Sequence, residues 1–366
     1  MTSTELTRID RLCYDTESQT KGKTMSVSKR VAAKLKENEQ PKPKRTKKTT
    51  KKSSKSKTSE PQRGASAAGF HSVNLYQNCE RKHFLRTIAR LEPIGGVAYP
   101  LLYGTAIHEA KDVFYKSRSA KKAKSRLEKT LRELHDDFET EADFEAAYER
   151  APIAFDAWLE HFGYKDLELY DILGVEKHVV LHLGDYKMTA RIDLIIRSKI
   201  TGDCYIVDTK TAGFSKYTAE AALHLGDQAT TYIYAARYEL GIPVHGLIGD
   251  ILYWNKQSND PNKIECFRTD VIQRDERQLA EWKLGMQQKN AEMAQKASAV
   301  ITGHSDPAIF TRNTHYCMSF FRRCEFADIC RQKISAKGKA PAGFRRNPKI
   351  KPLADQFFYD ESEGLL

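Results

Sequence analysis

The chain has 366 residues, 40% of them hydrophobic, enough for one large domain or two modest ones with a genuine core. No apolar run reaches 18 residues, and the opening MTSTELTRIDRLCYD lacks the apolar stretch of a secretory signal, so neither a membrane span nor export is expected. The net charge of +12 is unevenly placed, because residues 21–63 hold 16 Lys/Arg against 3 Glu. The rest is close to neutral, and overall basicity says little about the partners of the folded part. An intracellular, cytoplasmic protein is expected, with its seven cysteines serving as thiols or metal ligands rather than disulfides.

In chain order, residues 1–65 read as a disordered tail. Its core, PKPKRTKKTTKKSSKSK, cannot bury enough apolar surface to fold alone. Such a polycation holds nucleic acid loosely, or acts as a nuclear-localisation signal, or simply solubilises the chain. Globular patterning starts near Phe70. HSVNLYQNCERKHFLRTIARL, Tyr103–Phe114 and residues 120–162 have helical spacing. Ile172–Leu183, Tyr186–Arg197 and Cys204–Lys210 read as strands of an antiparallel meander, with a turn at Thr201-Gly202-Asp203. A helix over Thr218–Leu240 ends at Gly241 and Pro243; a strand over Gly246–Trp254 and a long helix over Gln273–Ala299 follow. A Cys-rich segment (317–330) and a C-terminal tail (336–366) complete the chain. The order of elements predicts a mixed α/β core carrying a helical N-terminal part.

Two acids interrupt apolar strands: Asp193 in ARIDLII and Asp208 in YIVDTKT. Burying a carboxylate in such a run is costly unless a cation or hydrogen bonds compensate. Asp208 and Lys210 are two apart on a strand and share a face, and pairing through the 201–203 turn brings Asp193 beside Asp208. Two carboxylates suit one or two hard divalent cations, Mg²⁺ or Mn²⁺. Such ions activate water and neutralise charge on a phosphate, with Lys210 orienting the water or stabilising the transition state. A buried salt-bridge cluster is the plainer alternative for the same residues.

The stretch ARID, fourteen residues, then DTK resembles the core of the PD-(D/E)XK nucleases, in particular their RecB-like branch. That branch also carries G-x-x-x-H on an upstream helix, matched by Gly104 to His108, and Q-x-x-x-Y on the helix after the D-x-K strand, matched by Gln228 and Tyr232. Glu176, in GVEKHVV, stands where the branch often has an acid on the preceding strand. Ile192 replaces the Pro that gives the superfamily its name. The resemblance implies a restriction-endonuclease-like mixed β-sheet flanked by helices, over about residues 70–335. It implies His108, Asp193, Asp208 and Glu176 as metal ligands, Lys210 as the catalytic lysine, and Gln228 and Tyr232 facing the site or a DNA phosphate. Taken singly, His108 is ordinarily a satisfied core or surface histidine, and helix packing is the ordinary role for Tyr232.

Cys317, Cys324 and Cys330 lie close in sequence without the C-x2-C pairs usual at zinc sites. A fourth ligand must come from afar, and Cys79 is the best candidate. Several RecB-like nucleases resemble this layout, with one Cys before the core and three after it binding a [4Fe–4S] cluster. The resemblance thus implies a Cys-stapled C-terminal segment; zinc and plain buried thiols stay open. Cys13, Cys204 and Cys266 read as structural.

Together these features predict a metal-dependent DNA nuclease, an exonuclease, in recombination, repair or phage DNA metabolism. No G-x-x-x-x-G-K-[ST] motif occurs, so no helicase engine is expected. An iron–sulfur RecB-like nuclease without a helicase resembles the stand-alone phage and CRISPR-adaptation nucleases. DNA is the expected partner, with recombination or replication proteins as further candidates. The competing expectations are a non-catalytic DNA-binding protein with a nuclease-like fold, and a Cys-stapled interaction protein with no DNA role.

Overall fold

A computed structural model describes residues 69–347, apart from 96–98, 185, 214, 255–259, 261–262 and 320–321. The expected basic tail, residues 1–65, and the segment beyond 347 lie outside the described residues.

Three layers make up the described chain. Helices α1 (Phe70–Asn78) and α2 (Glu80–His83) lead to the short strand β1 (Leu91–Pro93). Three longer helices follow: α3 (Tyr99–Ser117), α4 (Ala120–Glu133) and α5 (Glu141–Trp158), then the short α6 (Tyr164–Leu169). Side-chain caps start two of them, with Ser119 accepting from Lys122 N and Thr140 from Asp143 N. The central sheet has the order β2 (Tyr170–Leu183), β3 (Tyr186–Ser198), β4 (Cys204–Ala212), β5 (Val244–Trp254) and β6 (Ile264–Arg268). All neighbours are antiparallel except β4 and β5, which are parallel. A parallel pair needs a crossover, supplied by α7 (Lys216–Leu225) and α8 (Asp227–Tyr234). The long helix α9 (Glu276–Ile301) opens with a capping box between Asp275 and Gln278.

Leu194–Ile196 in β3 and Cys204–Val207 in β4 are unbroken apolar runs because helices cover both faces of the sheet. Ile195, Ile206, Leu247 and Ile251 join a core shared with α1, α8 and α9. Leu194, Ile196, Val207 and Leu252 join a second core, shared with α3, α4 and α5. This is the restriction-endonuclease-like architecture expected, a mixed sheet flanked by helices.

The structure differs from the sequence reading in several places. The helix expected over 71–91 breaks at Cys79, whose backbone is extended. The helix expected over 218–240 breaks at Gly226, also extended. Strand β6 had no counterpart in the predicted elements. Residues 336–347, assigned to a tail, include β9 (Phe344–Arg346), which pairs with β1. Two two-residue strands, β7 (Met318–Ser319) and β8 (Arg322–Arg323), pair within the Cys-rich segment. Among the described residues no helix is long and apolar enough to cross a membrane.

Candidate active site

The site forms where β3 and β4 part. Leu194 pairs with Val207, so the next step outward sets Asp193 opposite Asp208. The Asp193 carboxylate closes the opening itself, its Oδ2 accepting the Thr209 backbone N–H at 2.9 Å. On the other side of β3, Val175 pairs with Leu194 and Lys177 with Ile192, so Glu176 stands across from Asp193. Glu176 has φ +50°, a left-handed conformation that costs a residue with a Cβ roughly 1–2 kcal/mol, the kind of backbone strain that active sites can hold.

Helix α3 supplies the third side. A Cβ on Gly104 would lie 3.0 Å from Thr211 Oγ1, so glycine lets the helix pass close over β4. One turn later His108 reaches the strands, with Nδ1 3.3 Å from Asp193 Oδ2. His108, Glu176 and Asp193 can each offer a ligand atom within 4.8 Å of the others. They line a cleft together with Lys111, Asp112, Tyr115 and Thr209. Two carboxylates and one imidazole form a donor set that suits a hard or borderline divalent ion completing its shell with water.

Asp208 is 1% exposed and lies outside that compact trio. Lys210 Nζ sits 2.6 Å from its Oδ2, as the shared strand face requires. Burial pushes the Asp208 carboxyl above the usual carboxylate range; Lys210 opposes the shift and Asp193 adds to it. Gln228 and Tyr232 are one turn apart on α8. Gln228 Nε2 donates to Tyr232 Oη at 3.0 Å and reaches Asp208 Oδ1 at 3.5 Å. Burial, with the charge of Asp208 behind it, raises the Tyr232 hydroxyl well above its ordinary value, so it stays neutral. The structure therefore brings the six sequence candidates and Glu176 to one place, with His108, Glu176 and Asp193 at the cleft and Asp208, Lys210, Gln228 and Tyr232 beside it.

The four candidate cysteines share a separate neighbourhood. Cys79 occupies the break between α1 and α2, and two residues on Arg81 binds three carbonyls of the C-terminal segment: Cys330 (3.2 Å), Pro307 (3.0 Å) and Gln332 (2.8 Å). The Cys324 N–H donates to Cys317 O at 2.8 Å. Burial raises the Cys330 thiol, and nearby Cys79 and Cys317 add to that shift. All six described cysteines are free thiols. Among the described residues only the His108 trio is gathered within 4.8 Å, so the thiols are neighbours without forming an equally tight cage. Cys204 and Cys266 lie apart, in β4 and β6.

Sequence reading passed over Lys111, which lines the cleft, and Asp250, which is buried beneath it. Lys111 Nζ contacts Thr209 Oγ1 at 2.5 Å and Asp250 Oδ2 at 2.8 Å. The signal for Asp250 was present: like Asp193 and Asp208, it interrupts an apolar strand, GLIGDILYW.

Comparison with curated proteins gives no match. Among solved structures, the chain is similar to an alkaline exonuclease (LHK-Exo) from Laribacter hongkongensis, at 17% identity and TM-score 0.27, covering 58% of this chain and 94% of that one. It is similar also to LHK-Exo in complex with dAMP, at 13% identity and TM-score 0.26, covering 56% and 97%. The sequence profile of the PD-(D/E)XK nuclease superfamily matches residues 69–331, a span that holds the whole sheet, the cleft and all four candidate cysteines, and the chain belongs to that superfamily.

Proposed function

We propose that the protein is a Mg²⁺- or Mn²⁺-dependent deoxyribonuclease, acting as an exonuclease in recombination, repair or phage DNA metabolism. The observation that carries this reading is the meeting of His108, Glu176 and Asp193 at one cleft, with the Asp208–Lys210 pair alongside. His108, Glu176, Asp193 and Asp208 would hold the divalent ion, which when bound lends Lewis acidity to the phosphate and eases deprotonation of the attacking water. Lys210 keeps its ammonium at the site through Asp208 and offers a proton donor to charge growing on phosphate oxygens. Gln228 steadies Asp208 and Tyr232 from the crossover helix. The N–H of Thr209 fixes the direction of the Asp193 carboxylate.

Cys79, Cys317, Cys324 and Cys330 would supply four thiolates to a [4Fe–4S] cluster, with zinc as the alternative metal. Their shared neighbourhood and the Arg81 clasp support this reading. Anaerobic purification with iron and zinc analysis tests it, and Cys79→Ser should lose the bound metal.

The test of function is a cleavage time course on linear and circular DNA, single- and double-stranded, with Mg²⁺, Mn²⁺ or EDTA. Wild type should consume linear DNA only with metal and spare circles, and Asp208→Ala and Lys210→Ala should be inactive. Cleavage that survives in both variants would exclude this assignment. A folded wild type that binds DNA without cutting it would instead mark a binding module.

A further inference from the structure

From Lys111 and Tyr115, which line the cleft, a buried charged network that the proposed chemistry does not use runs into the protein. Asp250, on β5, is fully buried. Its Oδ2 accepts from Lys111 Nζ at 2.8 Å and from Trp158 Nε1 at 2.9 Å, and lies 3.5 Å from Arg268 Nη2. Arg268 holds Asp166 through two bonds, 2.8 and 2.6 Å, and Tyr115 Oη donates to Asp166 at 2.5 Å. Two cations and two carboxylates leave the network balanced, as burial demands. Burial acts to raise the Asp250 carboxyl, but Lys111 and Arg268 more than offset it and hold it below the usual range.

One branch leads to the site. Lys111 Nζ also donates to Thr209 Oγ1 at 2.5 Å. Thr209 is the middle residue of Asp208-Thr209-Lys210 and the register partner of Asp250. Its own N–H donates to Asp193 Oδ2 at 2.9 Å. An unbroken line of bonds therefore runs from Asp250 through Lys111 and Thr209 to Asp193. Lys111 stands one turn beyond His108 on α3, so it ties to β4 the same helix that carries the imidazole.

We propose that Lys111 and Asp250 are positioning residues, which act through Thr209 to set where Asp193, Asp208 and Lys210 stand relative to His108. This inference rests on the nuclease reading above. A buried ion pair contributes little net stability compared with apolar groups of the same volume. Its value here lies in direction: groups behind a metal's ligands orient them, and losing such a group commonly costs about 10–100-fold in metal affinity or activity.

The test compares wild type, Lys111→Met/Asp250→Asn, Thr209→Val and Thr209→Ser. The double variant removes both charges together, and its Asn still accepts from Trp158. Thr209→Val removes only the hydroxyl, and Thr209→Ser restores it. Melting temperature, Mn²⁺ affinity by calorimetry, and kcat and KM on linear DNA are read for each. The double variant and Thr209→Val should melt near wild type, yet lose roughly 10–100-fold in Mn²⁺ affinity and kcat with KM for DNA unchanged. Thr209→Ser, which restores the hydroxyl, should recover most of the Mn²⁺ affinity and kcat that Thr209→Val loses. Should the double variant not fold, the Val/Ser pair decides. A folded Thr209→Val with wild-type Mn²⁺ affinity and kcat overturns the positioning role and leaves the nuclease reading intact. A wild type that neither binds Mn²⁺ nor cleaves DNA overturns the nuclease reading and the positioning role with it.

Discussion

His83 gives the protein a calculable weakness in acid. It lies on α2 with no exposed surface, edge-on to Tyr76 at 5.3 Å and 6.3 Å from the Phe310 ring. Its Nε2 is 3.1 Å from Ser72 Oγ. Burial pulls its pKa from the ordinary 6.5 down to about 3, so the folded protein keeps the ring neutral where an unfolded chain would protonate it. The stabilising contribution is complete above pH 6.5 and is lost as pH falls towards 3, because the unfolded state then binds the extra proton. Each pH unit inside that window costs about 1.4 kcal/mol, so the step from pH 6.5 to 5 should remove about 2 kcal/mol. Urea unfolding of wild type and His83→Gln at pH 8, 6.5 and 5 isolates the effect, since the carboxylates titrate alike in both proteins. The variant pays a fixed packing cost at pH 8 but cannot charge, so the gap between the two should narrow by about 2 kcal/mol at pH 5. Parallel loss of stability in both proteins from pH 6.5 to 5 would refute the argument.

Asp208 should show the opposite sign. Burial raises its carboxyl, so its contribution is present below the ordinary 3.8 and is lost as pH rises through the folded value; in EDTA, Asp208→Asn should melt above wild type at pH 7, and the gap should close towards acid. Asp166→Asn should cost about 3–5 kcal/mol in urea unfolding, because it leaves the Arg268 cation buried without its bidentate partner. Gly246→Ala should cost about 1–3 kcal/mol, because its new Cβ would stand 2.5 Å from Ile272 O. Gly285→Ala on α9, where nothing lies within 4 Å, should instead raise stability by up to about 1 kcal/mol, and a matching loss at both glycines would contradict the packing reading.

What the sequence revealed depended on the range of the physics involved. Strands β3 and β4 were legible because two-sided burial writes itself as apolar runs, and against them Asp193 and Asp208 stood out at once. The pairing of Asp208 with Lys210 followed from the two-residue period of a strand alone. His108 and Gln228 needed the resemblance, since one histidine or one glutamine on a helix carries no chemistry by itself. The breaks at Cys79 and Gly226 went unseen because neighbouring residues keep helical spacing across them. Strand β6 is only five residues, IECFR, too short for its alternation to register. Lys111 sits where helical periodicity permits a solvated lysine; only the fold reveals that its ammonium meets Asp250, 139 residues away. The pairing of β1 with β9 is likewise beyond any local pattern.

The clasp between the two ends of the described chain also bears on how the protein is made. Arg81 waits for the Pro307 carbonyl, 226 residues downstream, and Phe84 waits for the ring of Phe310, stacked at 5.3 Å. At roughly 5–20 residues per second a ribosome needs about 11–45 s to deliver them. During that interval Phe84 and Leu85, both fully buried in the finished protein, have no cover from the C-terminal segment. The N-terminal helices are therefore natural clients for a chaperone during synthesis, and slower growth at low temperature should raise the soluble yield. A chain stopped shortly after α9 would leave that surface open for good and should aggregate, even though the whole sheet and every residue around the cleft had already been made.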